Sequence, residues 1–448
     1  MTDNKLAQKF NFKSFMKFSV PTMVMMVFMS LYQTVDGVFL SNLVGELALT
    51  ALNVVYPYSS VVIAVAVMLA SGGSAVIGMN MGMGNNKAAK ENFTFFILAA
   101  LVFSGLMTVF GLIFMDELIL FLGATPKIYQ MCYEYLILMV ISTPLAMLQL
   151  LFQAFFVAAG KPKLGLILTI ASGAANLILD YVFLGILHMG IAGAALATAI
   201  GYGITAIYGL FYFALCRKGQ LYFVKPKPRL RVLGKACFNG SSEMVNNLAV
   251  AITTLLFNLV GLHFLREEGV AAISILLYSQ YIMTAVFMGF SNGVAPIFSF
   301  KCGAQDWEQI RKLFKLSMIF VSVLSVFIFL LTFIVAKPIG LVFARDNQYV
   351  LELSIHGFQL FAGSLLFTGL NIFASSLFTA FSNGLISGLL SFLRTFVLLV
   401  ISLLVLPAQI GADGIWLAIP LAEGVAILFS LLALFCYRKK YHFAKDTF

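Results

Sequence analysis

Apolar runs of about 20 residues recur twelve times along this chain, broken only by short polar segments. A helix of that length spans roughly 30 Å, the thickness of a bilayer's hydrocarbon core. Hydrophobic residues make up 61% of the 448, charged residues only 10%, and the mean hydropathy is +1.00. No soluble domain buries that much apolar surface, so the expected class is an all-α polytopic membrane protein. The spans are read at roughly 15–40, 53–77, 93–115, 131–155, 164–186, 191–216, 236–261, 270–295, 312–336, 352–378, 385–406 and 413–436. The opening residues, MTDNKLAQKF, are polar and basic, and no cleaved leader is expected from them. Cys132, Cys216, Cys237, Cys302 and Cys436 are scattered, without the spacing of a disulfide framework or a metal site.

The net charge of +10 invites a nucleic-acid reading, but its distribution argues against one. Sorted by loop, 23 Lys and Arg fall on one side of the spans and 4 on the other (Lys127, Arg266, Lys337 and Arg345), with Arg394 inside a span. That bias is the positive-inside pattern, and it predicts both termini in the cytoplasm.

The one long basic break, CRKGQLYFVKPKPRLRVLGK, falls at mid-chain and separates two similar halves. SGGSAVIGMNMGMGNN (71–86) aligns without gaps on SNGVAPIFSFKCGAQD (291–306), and GIAGAALA (190–197) parallels GADGIWLA (411–418). Both matches come at nearly the same offset. The expected organisation is a six-helix lobe at 1–216, a basic linker at 217–235, a second six-helix lobe at 236–436 and a tail at 437–448. Two pseudo-symmetric bundles are a common transporter plan, with the substrate between them.

Charges inside a span are costly and point to function. Asp180 lies deep in span 5, one helical turn after Asn176, so both share a helix face. Counting helix rise from Lys17 and Lys163, Asp36 in span 1 and Asp180 come to nearly one level, with Thr198 of span 6 close by. Two carboxylates, an amide and a hydroxyl suit a small hard cation such as Na⁺. They suit a proton equally, because neighbouring acids in a poorly hydrated site resist carrying two charges. The second half carries Glu243 low in span 7, Arg394 in span 11 and Glu423 in span 12. Arg394 is expected to pair with Glu423 or Glu243, as a structural ion pair or as a latch between transport states. Gln33, Gln149, Gln153, Gln280 and Asn371 are uncharged polar residues within spans, able to contact substrate or to join helices. Pro21 removes a backbone hydrogen bond from span 1. The 45 Phe and 20 Met include candidates for an adaptable cavity lining. There is no P-loop, and His188, His263, His356 and His442 lack ligand spacing.

These residues together resemble the MATE (multidrug and toxic compound extrusion) family, and within it a MepA-like bacterial branch. The likeness rests on Pro21 and Asp36 followed by Gly45, on Gly78, Gly82 and Gly84, on AAGKPK at 158–163 and on NLILD in span 5. It runs the length of the chain. The resemblance implies a cation site at Asp36, Asn176, Asp180 and Thr198, binding H⁺ or Na⁺. Some members also use a mid-membrane acid in span 7, but Glu243 lies nearer the span end, and that role is not carried over. The implied activity is antiport: export of cationic amphipathic compounds from a bacterial cell by alternating access, with no cofactor and no enzyme chemistry. A monomer in the bilayer, without nucleic acid, is the expected state. A lipid-linked precursor flippase of the same superfamily would need a cavity rich in Arg and Lys, and only Arg394 lies within a span. A major-facilitator transporter would carry an Asp-Arg and Arg/Lys-rich loop where this chain has GMNMGMGNNKAAKE.

Overall fold

The computed structural model describes residues 5–344 and 347–443. Arg345, counted above among the sparse charges, and residues 444–448 of the expected tail lie outside them. Fourteen α-helices follow in order: α1 (Phe12–Leu43), α2 (Glu46–Gly82), α3 (Asn86–Ile113), α4 (Met115–Phe121), α5 (Tyr129–Ala158), α6 (Pro162–Asp180) and α7 (Gly190–Leu215) in the first half. The second half has α8 (Leu230–Gly303), α9 (Trp307–Phe343), α10 (Gln348–Phe361), α11 (Leu365–Ala380), α12 (Gly384–Phe392), α13 (Leu399–Ile410) and α14 (Asp413–Cys436). Helix starts follow their local chemistry. Asn11, Asn85, Asp306 and Asn347 accept a backbone N–H at the starts of α1, α3, α9 and α10, and Pro162 opens α6.

Eleven helical segments among the described residues are long and apolar enough to cross a membrane. One of them, α8, has 74 residues and would run about 110 Å if straight. It doubles back instead. Arg266, at φ 57° and ψ −156°, breaks the helix, and Gly261 before it lies against Ile273 after it. Counting its two arms separately gives twelve apolar helical segments among the described residues. Side chains such as Leu106, Ile178, Val323 and Leu428 stand exposed along the flanks, a surface that only lipid accommodates.

Both described chain ends sit on one face. The Phe10 N–H donates to Gln309 Oε1 at 3.0 Å, Lys301 Nζ to the Ala7 carbonyl at 3.2 Å, and the Phe443 ring stacks on Phe314 at 4.5 Å. We call this the terminal face and its opposite the distal face.

Two six-helix bundles meet along a seam built of glycine. A Cβ on Gly82 would lie 2.0 Å from the Phe300 carbonyl oxygen, and one on Gly303 would lie 2.2 Å from that of Met79. Both pairs, 82 with 303 and 79 with 300, are 221 residues apart. The contact is therefore its own mirror across a pseudo-two-fold axis. At the same offset Gly240 corresponds to Ser19 and Met68 to Gly289; Gly240 packs on Met68, and Gly289 and Gly293 pack on the Ser19–Met23 stretch of α1. Backbone packs on backbone here because no side chain intervenes. Toward the distal face the seam loosens to side-chain contacts, such as Tyr281 Oη donating to Gln33 Oε1 at 3.1 Å.

Candidate functional site

Asp180 is the last residue of α6, where the helix widens into a π-helical turn at Tyr181–Ile186. Such insertions recur at functional sites. Its neighbours are set by two glycines. A Cβ on Gly173 would meet the Phe28 ring at 2.6 Å and Tyr32 at 3.1 Å, so α1 and α6 approach only because that position is bare. The two helices run in the same direction, and two turns further along, Asp180 reaches Asp36. Gly201 of α7 likewise lies close to the Ser172 carbonyl and to Asn176. That approach lets Ser172 and Thr205 hydroxyls meet at 2.8 Å, and Asn176 Nδ2 donate to Thr198 Oγ1 at 3.3 Å.

The four residues singled out in spans 1, 5 and 6 thus form one cluster. The carboxyls of Asp36 and Asp180 stand at hydrogen-bonding range. Asp180 is fully buried, yet neither of its oxygens receives a donor, and Asn176 Oδ1 receives none either. Ionised carboxylates only accept, so two of them in contact need a proton or a cation between them. Buried oxygens without donors are rare in folded proteins and call for a ligand or an ion.

Beside this cluster, between the two halves, is a cavity of about 210 Å³. Its walls include Met25, Met26 and Met29 of α1 and Met288 of α8. Gln33, Gln149, Gln153 and Glu243 also line it. Among the described residues Glu243, with Asn247 one turn on, is the only charged side chain in the wall. Neither Asp36 nor Asp180 lines the cavity. Tyr32 and Tyr202 do, and Asp36 is an electrostatic neighbour of both phenols. A third phenol, Tyr135, is within electrostatic range of both acids. Tyr32 and Tyr202 thus border both the cavity and the acid pair.

Comparison with known proteins bears on what this arrangement belongs to. The MatE family model matches residues 21–182 and 244–404, one segment in each half. This chain belongs to the MATE family. MATE proteins are membrane transporters, so the chain is a transporter and not an enzyme. It is 23% identical over 433 residues to the multidrug export protein MepA of Staphylococcus haemolyticus, covering 96% of this chain and 94% of that one. It is 22% identical to MepA of Staphylococcus aureus over 430 residues, with the same coverage. Among solved structures it resembles a MATE protein in complex with MaL6, with TM-score 0.94, 18% identity, and 99% and 100% of the two chains covered. It also resembles an outward-facing multidrug resistance MATE transporter of the MOP superfamily, with TM-score 0.92, 18% identity and 99% of each chain.

The remaining polar residues of this MATE chain separate by role. Arg394 Nη1 donates to Glu423 Oε1 at 3.1 Å, both side chains nearly buried. Of the two partners expected for Arg394, the structure selects Glu423. Asn371 Nδ2 donates to the other Glu423 oxygen at 2.7 Å, and Ser430 Oγ donates to Asn371 Oδ1 at 2.7 Å. None of these side chains lines the cavity, although Arg394 is an electrostatic neighbour of Glu243, which does. Gln280 does not line the cavity either; its neighbours Tyr281 and Met288 on the same arm of α8 turn inward instead. Gln153 is partly committed, donating to Thr169 Oγ1 at 3.0 Å. Sequence reasoning passed over Tyr32, Tyr135 and Tyr202, because aromatic residues in spans look like packing; the hint was that Tyr32 stands four residues before Asp36.

Proposed function

We propose that this transporter exports cationic amphipathic compounds in exchange for H⁺ or Na⁺. The observation that carries the reading is the cavity wall: among the described residues it has apolar, hydroxyl and amide side chains, one negative charge at Glu243, and no Lys or Arg. A positively charged, greasy molecule fits such a wall, whereas a pyrophosphate does not. Methionines suit varied ligands because the side chain repacks and its sulfur is polarisable. The relatives' naming as multidrug export proteins supports the same conclusion.

Coupling follows from the acid pair. Two unit charges about 4 Å apart repel by roughly 4 kcal/mol at an effective dielectric of 20. A proton on one carboxyl, or a Na⁺ ion held by both with Asn176 Oδ1 and the Thr198 hydroxyl, removes that repulsion. Helix α1 carries Asp36 and also Met25, Met26, Met29 and Gln33 of the cavity. Drawing Asp36 toward Asp180 therefore shifts the wall that holds the exported compound. Ion and compound then bind in opposition, and each must weaken the other by the same factor. No nucleotide is needed. In this reading the lobes are 1–216 and 236–436, joined by the 217–235 linker, and the terminal face with its many lysines faces the bacterial cytoplasm.

The test is ethidium transport by the purified protein in liposomes, with a pH gradient or a Na⁺ gradient imposed in turn. Wild type moves ethidium against one gradient, which names the ion. Asp180→Asn keeps its melting temperature and loses gradient-driven transport. Transport at the wild-type rate by Asp180→Asn would overturn the coupling role.

A further inference from the structure

The linker between the lobes is not a slack tether. Leu221 is buried, the Phe223 N–H donates to the Phe213 carbonyl at 3.0 Å, and the Phe223 ring stacks on Phe93 at 5.4 Å. The Val224 N–H donates to Thr94 Oγ1 at 3.2 Å. These contacts bind the linker to α3 and α7 and fold it over the start of α3. Between them lies a second cavity, of about 570 Å³, walled by Lys87, Lys90 and Glu91 of α3 and by Tyr222, Lys225 and Lys227 of the linker.

Its charge is strongly positive. Among the described residues Glu91 is the one acid in the wall, and it is buried and shared between Lys227 at 3.5 Å and Arg229 at 3.9 Å. Lys90 sits 4.0 Å over the Tyr222 ring and hydrogen-bonds its phenol, which lowers the Tyr222 pKa from its ordinary value. Lys87 and Lys225 pair with no acid among the described residues. They stand exposed at the cavity, and the positive end of α3 lies beside Lys87. Lysines held together with no counter-charge repel one another, and the site is built to be neutralised by an anion.

The position of the cavity says which anion. Leu215 and Leu230, the side chains that close α7 and open α8, are each 76% exposed. Phe211 and Phe238, one turn or two further in, are exposed as well. Lipid-facing side chains thus run up to the linker from both sides, and the cavity sits at headgroup level. Basic pockets between spans at that level hold anionic headgroups. We infer that the cavity between the linker and the start of α3 binds the phosphate headgroup of an anionic phospholipid.

The experiment is lipid binding by the full-length protein in phosphatidylcholine nanodiscs, titrated with phosphatidylglycerol and read by native mass spectrometry and by melting temperature. Phosphatidylglycerol is expected to bind and to raise the melting temperature of wild type. At about fivefold per lysine, Lys87→Gln with Lys225→Gln lowers its affinity roughly 25-fold, and Lys225→Gln alone about fivefold. Neither residue has a partner to lose, so both variants fold. Lys312→Gln with Lys315→Gln removes the same charge from exposed positions at the start of α9 and should leave the affinity unchanged. An equal loss in that control would show diffuse attraction and overturn the site. Displacement of the lipid by inorganic phosphate at similar concentration would show a soluble-anion site and overturn the headgroup assignment. The absence of any phosphatidylglycerol preference in wild type would overturn both.

Discussion

Gly82→Ala should open the terminal face. A Cβ there would lie 2.0 Å from the Phe300 carbonyl oxygen and 2.8 Å from the Ala304 nitrogen, where ordinary contact begins at 3.4 Å. The obstacle is backbone, which cannot rotate away, so the helices must part by about 1.4 Å at this level. The mirror contact at Gly303 and the approach of Gly240 to Met68 depend on the same separation. Overpacking of this kind costs about 1–3 kcal/mol. The closed seam bears that cost and a state with the seam parted does not, so the ratio of the two shifts by roughly 5–150-fold. Cys302, next to Gly303 and half-buried, reports the change. In a background with Cys132, Cys216, Cys237 and Cys436 replaced by Ser, maleimide labelling of Cys302 should speed up at least about fivefold. Ethidium transport should slow in step. Unchanged labelling in a variant that melts like wild type would refute the assignment of closure to the glycine seam.

Three further substitutions probe other parts of the molecule. Arg394→Met leaves Glu423 buried with only Asn371 for company, at a cost of about 3–5 kcal/mol, and its melting temperature should fall sharply; adding Glu423→Leu should restore most of it. A latch would behave differently, since the single variant would then keep its stability and change only its turnover. Gly173→Ala drives a methyl into Phe28 and Tyr32 and should separate Asp36 from Asp180. Gradient-driven efflux should drop about tenfold, as expected when the coupling between two sites is lost. Lys301→Met removes a buried donor to the Ala7 carbonyl and Asp306, a loss of about 1–3 kcal/mol, and limited proteolysis at Lys5 and Lys9 should accelerate.

Much of this was legible in the chain because the bilayer simplifies the code. Apolar length alone gives the spans, and Arg266, Glu267 and Glu268 mark the break inside α8. Helix rise placed Asp36 and Asp180 at one depth, since both helices run parallel and are packed without an intervening side chain at Gly173. What the sequence withheld is lateral: which helix faces which. Depth could not choose between Glu423 and Glu243 for Arg394, and it could not show that Tyr32, Tyr135 and Tyr202 gather around the acids. The repeat between 71–86 and 291–306 was visible as similarity, but that Gly82 and Gly303 touch across a two-fold axis is a property of the packed pair. The linker read as a basic break, and its folding onto Phe93 and Thr94 came from contacts 130 residues apart.

The two lobes solve the same polar problem in opposite ways. Helices α6 and α12 begin 222 residues apart, and a π-helical segment follows each, at Tyr181–Ile186 and at Leu393–Leu398. At that offset Ser172 corresponds to Arg394, Gly201 to Glu423 and Asp180 to Ser402. In the first lobe small residues bring the helices together, and Asp180 is left beside Asp36 without a donor. In the second lobe the same two positions carry long side chains joined as an ion pair, and a serine stands where the acid was. A guanidinium stays protonated at any pH a cell meets, so the second lobe holds its cation permanently. Of these corresponding positions, only those in the first lobe offer negative charge to a cation that comes and goes. Under the proposed mechanism, ion binding then acts on one bundle while the other stays fixed, and a single binding event can turn one lobe against its mate along the glycine seam.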